Sequence, residues 1–278
     1  MSLVAVRGVR YNVECRGQGP TVLFLHGFTG SAAGWAPVLE ALPEGLRTVC
    51  VDLLGHGLSD APHDPGRYAL TEAALDIAEL AERLALAPLH LVGYSLGGRL
   101  ALHVALARPD ILTSLVLVSA SPGIADAADR AQRKASDAEW ARFVLTRGVP
   151  AFVARWESLP LFATERELSP AERAAVRAER LSQRPHGLAN SLLGAGAGAQ
   201  EYLLERLASV RVPTLVVAGA RDVKYVALAE RLGAALPRAR VEIVPGAGHA
   251  VHRERPAALA RLVTQHLRDV EAVDCNGH

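Results

Sequence analysis

The sequence predicts an α/β fold, a mostly parallel central sheet flanked by helices and interrupted by a helical insertion, on three observations. Short apolar runs alternate with helical patterns through the first half of the chain. From about residue 121 to residue 207 no buried-strand signal occurs and the chain reads as helix. Strand signals then return ahead of a final helix. Strand–helix alternation implies right-handed βαβ crossovers, and these make the sheet parallel.

Each element has its own signal. Val4-Ala5-Val6 and residues 9–15 flank Arg7-Gly8 and predict an N-terminal β-hairpin. TVLFL (21–25) is apolar almost throughout, as a strand buried on both faces must be, and RTVCV (47–51), LHLV (89–92) and LVLV (115–118) repeat the signature. Amphipathic stretches at 71–86 and 96–107 predict the intervening helices. In the insertion, Ser169-Pro170-Ala171-Glu172 predicts a helix start, with Ser as N-cap, Pro at N1 and Glu at N3. Gly194-Ala195-Gly196-Ala197-Gly198 reads as a flexible break. TLVV (214–217) and VEIV (241–244) are the last strands, a helix follows Pro256, and the tail from about 272 is expected to fray. Residues 1–122 and 206–278 therefore form one sheet-based core, and 123–205 a helical lid. Insertions over the carboxyl ends of parallel strands roof binding sites.

Half of the 278 residues are hydrophobic and 21% are charged, which suits a large core and argues against disorder. Thirty basic against 29 acidic side chains give a net charge of +1, so the balance argues against nucleic-acid or membrane attraction. Cys15, Cys50 and Cys275 are sparse and far apart, which suits a reducing compartment and offers no zinc site. With no signal-peptide core and no apolar run long enough to span a bilayer, a cytoplasmic protein is expected.

Four loops carry the chemistry, all at strand ends. Gly93-Tyr94-Ser95-Leu96-Gly97 follows LHLV and opens a helix, the context of a G-x-S-x-G nucleophile elbow. The turn lifts the Ser95 hydroxyl to a helix N-terminus, where N–H groups favour negative charge. His26-Gly27-Phe28 follows TVLFL, and the Phe28 and Leu96 N–H groups are the expected oxyanion hole. Asp222 follows TLVV and His249 follows VEIV, giving the chain order Ser, Asp, His. An imidazole must take the hydroxyl proton and a carboxylate must hold its tautomer. His252 competes with His249 but lies further from its strand. These loops specify an α/β-hydrolase fold with a Ser95, Asp222, His249 triad. Arg99, one helical turn after Ser95, suits a carboxylate ligand, or equally an exposed position or an ion pair with the insertion.

Beyond the fold, the chain resembles the MenH family of 2-succinyl-6-hydroxy-2,4-cyclohexadiene-1-carboxylate synthases from about residue 20 to residue 260. The shared pieces are LHGFTGS (25–31), Trp35, DLLGHGLS (52–59), GYSLGGR (93–99), ASPG (120–123), RWESLPLFA (155–163), ERLSQRPHGLANSL (179–192), GARDVKY (219–225) and GAGHAVHRE (246–254). The lid motifs are the specific ones. The resemblance implies a lyase of menaquinone biosynthesis, without cofactor or metal, that eliminates pyruvate from an enolpyruvyl cyclohexene bearing several carboxylates. Its triad would abstract a proton and form no acyl-enzyme. By motif position, Arg99, Arg133 and Arg180 would clamp carboxylates, with Arg184 as the alternative to Arg180, while Tyr94 and Trp156 would line the pocket. A monomer or small homo-oligomer acting on a small-molecule polycarboxylate is implied. The chain departs from the family's usual pattern at Gly196-Ala197-Gly198-Ala199-Gln200 and at Tyr225, a position often held by Phe. A serine carboxylesterase using the same triad is the main alternative, separated from the lyase by the arginine set. A non-catalytic receptor is disfavoured by the intact triad, and Ser95 excludes a dehalogenase, which needs Asp there.

Overall fold

The structure is a computed structural model and describes residues 2–275. The predicted hairpin is present as β1 (Ser2–Val6) and β2 (Val9–Arg16), turned by Arg7 and Gly8 at positive φ. There follow β3 (Thr21–Leu25), α1 (Ala36–Glu40), β4 (Arg47–Val51), α2 (Leu70–Arg83), β5 (Leu89–Tyr94), α3 (Leu96–Ala107) and β6 (Leu112–Val118). The stretch before the next strand holds α4 (Ala127–Glu157), α5 (Pro170–Leu181) and α6 (Pro185–Ala195). The chain closes with β7 (Thr214–Gly219), α7 (Val223–Ala235), β8 (Ala239–Val244), α8 (Val251–Glu254) and α9 (Pro256–Cys275). The expected fraying from 272 does not begin there, because α9 continues to Cys275; residues 276–278 and the Cys275 side chain lie outside the described residues.

The strands form one sheet in the order β1-β2-β4-β3-β5-β6-β7-β8, parallel from β4 onward and closed at one edge by the antiparallel hairpin. Period-two alternation explains why its central strands are apolar at almost every position. Leu23, Leu25, Leu91 and Leu117 face α2, α3 and α7, while Val22, Phe24, Val92 and Val118 face α1 and α9. Each fully buried side chain of this kind contributes about 1.5–3 kcal/mol. The order reverses at β3, which has β4 on one side and β5 on the other, so crossovers leave on opposite faces and open a crevice at the strands' carboxyl ends.

The α4–α6 stretch contains no strand and has its own apolar cluster, in which Val144, Phe152, Val153 and Trp156 meet Leu188 and Leu192. Ser169 forms the predicted capping box, its hydroxyl accepting from the Glu172 N–H and the Glu172 carboxylate accepting from the Ser169 N–H. The predicted flexible break at 194–198 is instead the packed end of α6 and the turn that follows it. The Gly198 N–H donates to the buried Asp137 carboxylate at 3.2 Å, and a Cβ at Gly194 would stand 2.1 Å from the Pro65 carbonyl. Glycine is used there for close approach rather than for freedom.

Candidate active site

The Ser95 loop is shaped by contact. A Cβ on Gly93 would lie 2.3 Å from the Gly97 carbonyl, and one on Gly97 would lie 2.1 Å from the Leu25 carbonyl. The turn leaves Ser95 at φ 51°, ψ −105°, a strained conformation for a non-glycine residue that costs on the order of 1–3 kcal/mol. The strain sets the hydroxyl at the N-terminus of α3, just beyond β5.

His249 reaches this hydroxyl from the loop after β8. Its Nε2 is 3.1 Å from Ser95 Oγ and its Nδ1 is 2.8 Å from Asp222 Oδ2. A carboxylate only accepts, so Nδ1 carries the proton and Nε2 is free to accept from the serine. Asp222 also caps α7, accepting from the Tyr225 N–H at 3.3 Å through its other oxygen. The two loops meet because β7 ends in glycine: a Cβ on Gly219 would stand 2.1 Å from the Gly248 carbonyl. His252 does not compete. It is buried inside α8 against Tyr94, with ring centroids 4.1 Å apart, and against Trp35, and burial holds its imidazole neutral by pushing its pKa well down.

The His26 tautomer fixes the neighbouring loop. His26 Nε2 accepts from the Leu53 N–H at 2.9 Å, so Nδ1 holds the proton and donates it to the Gly27 carbonyl at 2.7 Å. Burial lowers the His26 pKa and keeps that tautomer neutral. In a trans peptide the Phe28 N–H then points away from His26. The Leu96 N–H, first in α3, has no helical acceptor.

These groups open into one cavity of about 740 Å³. Arg99, Arg133, Arg180, Tyr94 and Trp156 all line it; Arg184 does not, because its guanidinium is turned to the Ser59 carbonyl. The arginines differ in what they already hold. Arg99 donates to Gln200 Oε1 at 3.2 Å and has no carboxylate partner among the described residues; desolvation pushes its pKa down to about 10, so it stays cationic at neutral pH. Arg133 pairs with Asp137 at 2.8 Å. Arg180 is buried with Glu165 at 2.8 Å and Glu157 at 3.4 Å, its guanidinium lying over Phe162. The Trp156 indole N–H has no partner among the described residues.

Three further residues line the wall; the sequence marks Tyr225 only as a departure from the family's usual Phe and gives Lys224 and Glu165 no role. Tyr225 packs on the His249 imidazole with ring centroids 4.4 Å apart, Lys224 lines the cavity without a carboxylate partner among the described residues, and Glu165 neutralises Arg180. The first two sit in the opening turn of α7, directly after Asp222, where a helix start at that residue would have placed them.

Among known proteins, residues 20–256 match the family model described as alpha/beta hydrolase fold. A Bacillus subtilis (strain 168) protein to which 2-succinyl-6-hydroxy-2,4-cyclohexadiene-1-carboxylate synthase activity is ascribed is 41% identical over 265 residues, covering 95% of this chain and 96% of its own. The synthase of that name from Salmonella paratyphi C (strain RKS4594) is 33% identical, covering 90% of this chain and 94% of its own. The solved structure of MenH from S. aureus superposes with a TM-score of 0.89 at 28% identity, covering 93% of this chain and 98% of its own.

Proposed function

The chain belongs to the α/β-hydrolase fold family and, within it, to the 2-succinyl-6-hydroxy-2,4-cyclohexadiene-1-carboxylate synthases of menaquinone biosynthesis, and from that membership we propose how its own residues perform the elimination. The substrate, 2-succinyl-5-enolpyruvyl-6-hydroxy-3-cyclohexene-1-carboxylate, carries a proton on C2 made acidic by the succinyl carbonyl. Removing it forms C2=C3, moves the ring double bond to C4=C5 and breaks the C5–O bond. The departing enolpyruvate takes up a proton and becomes pyruvate.

Ser95 Oγ takes the C2 proton while His249 Nε2 takes the serine proton, and Asp222 stabilises the imidazolium so formed. Negative charge grows on the succinyl oxygen, which the Phe28 and Leu96 N–H groups hold. The α4–α6 stretch acts as the lid. Arg99, Arg133 and Arg180 face the substrate carboxylates, with Tyr94 and Trp156 as walls.

The observation that carries the lyase reading over ester hydrolysis is Arg99. A triad serves either chemistry, but a cation on the cavity wall with only a neutral partner asks for an anionic ligand. Pyruvate release from the enolpyruvyl substrate, run beside hydrolysis of a short aryl ester, is the test. Ser95-dependent pyruvate release far exceeding ester cleavage is expected. Rapid ester turnover with no pyruvate overturns the assignment.

A further inference from the structure

We infer that Glu254 and Thr164 are positioning residues for His249, tying the imidazole's loop to the segment that covers it; the inference rests on the triad reading above. Glu254, at the end of α8, is buried and makes no ion pair among the described residues. Its carboxylate instead accepts from backbone on both sides of His249, at 2.7 Å from the Gly248 N–H and 3.1 Å from the Ala250 N–H. The His249 carbonyl accepts from the Ser119 hydroxyl at 2.8 Å. The histidine backbone is thus held at both flanking amides and at its own carbonyl, independently of the Asp222 contact.

The third donor to Glu254 comes from the covering segment. The Thr164 hydroxyl donates to Glu254 Oε1 at 3.0 Å from the 3-10 stretch Pro160–Glu167. That stretch also supplies Phe162, whose ring centroid is 6.4 Å from that of His249, and Glu165, the partner of Arg180. It packs flush against the loop, since a Cβ on Gly248 would stand 2.1 Å from Thr164 Oγ1. One buried carboxylate therefore joins the cavity roof to both peptide groups that aim the imidazole. Charge-assisted bonds of this kind are the strong ones, and misplacing a catalytic group by about 1 Å costs about 100-fold in rate.

The test compares Thr164→Val, which keeps the shape and loses the donor, with Thr164→Ser, which keeps the donor; Glu254→Gln is the more severe variant. One readout is the rate at which a fluorophosphonate labels Ser95, which needs His249 to take the serine proton and assumes nothing about the natural substrate. The other is kcat and KM for pyruvate release. Thr164→Val should slow labelling and kcat by up to about tenfold with KM changed by less than about twofold, the scale of one lost hydrogen bond to a charge. Thr164→Ser should recover both, and Glu254→Gln should lose more than Thr164→Val. Wild-type labelling by Thr164→Val, or equal losses in Thr164→Val and Thr164→Ser, overturns the inference. A wild-type enzyme that is not labelled overturns the triad and the inference with it. The expected labelling pattern without any pyruvate supports the positioning role and sinks the substrate assignment alone.

Discussion

Arg99 stands one helical turn beyond Ser95 on the cavity wall, where desolvation pushes its pKa down to about 10 and its hydrogen-bond partner is the neutral side chain of Gln200. Carboxylate binding would restore what desolvation removes, so Arg99→Ala should lower kcat/KM for pyruvate release by at least about tenfold. Arg99→Lys should recover only part of this, because an ammonium cannot present a planar fork. An unchanged kcat/KM in Arg99→Ala would reduce it to a wall residue. Arg99, Ser95, Asp222 and His249 are legible in the sequence because each lies just beyond a strand with a distinct apolar signature. Even the choice of His249 over His252 follows from distance to the strand end. Glu165 and Glu254 are not legible, and Tyr225 is legible only as a departure from the family's usual Phe, since their roles arise only when separate loops meet. Arg180 shows the limit of motif position: the motif places it on the cavity wall, but only the structure shows that Glu165 and Glu157 already share its charge.

Elements are legible where periodicity and end signals agree. The buried strands, α3 and the Ser169 cap all carry both. The long helical region before the cap carries a break that its periodicity hides: Gly148, inside α4, adopts φ 77°, ψ 168°, a region that essentially only glycine occupies, with Pro150 two residues on. The bend lets Val144 and Val149, on either side of it, both face Leu188 and Leu192 of α6. Space is not the constraint, because the nearest atom to an added Cβ at Gly148 is Pro150 Cδ at 3.8 Å. Gly148→Ala should therefore destabilise by backbone strain alone, by about 1–3 kcal/mol, lowering the urea midpoint while leaving m unchanged. A midpoint equal to wild type would mean that the bend is not imposed by this residue. The glycines at 194–198 mislead for the opposite reason: a run of small residues looks loose in sequence, and only the neighbouring Asp137 and Pro65 reveal that the run is packed.

Across the whole molecule, the histidines form a pattern that no single site explains. His26, His56, His103 and His252 all have lowered pKa values, and burial is the first cause in each; His56 falls to about 3 and His103 to about 4, against 6.5 for the free side chain. A histidine depressed in the folded state stays neutral there while the unfolded chain takes up its proton. The unfolded state then binds more protons below about pH 6.5, so stability must fall as pH falls through that value, and for His103 the loss is complete only near pH 4. Carboxylates held down by hydrogen bonds, such as Asp60 beside Arg10 and Glu172 in its capping box, act in the same direction at lower pH. Unfolding free energies from urea titrations between pH 7 and pH 4 should decrease monotonically, by several kcal/mol in all. Each histidine removes about 1.4 kcal/mol for every pH unit over which only the unfolded chain holds its proton. His103, whose Nε2 has no partner among the described residues, is the clearest single contributor, and His103→Leu should flatten part of the slope. A profile flat from pH 6.5 to pH 4 would show that these imidazoles are protonated in the folded enzyme. In that case the neutral His26 tautomer that orients the Phe28 peptide would no longer hold at the acid end, and activity would fail there before the fold does.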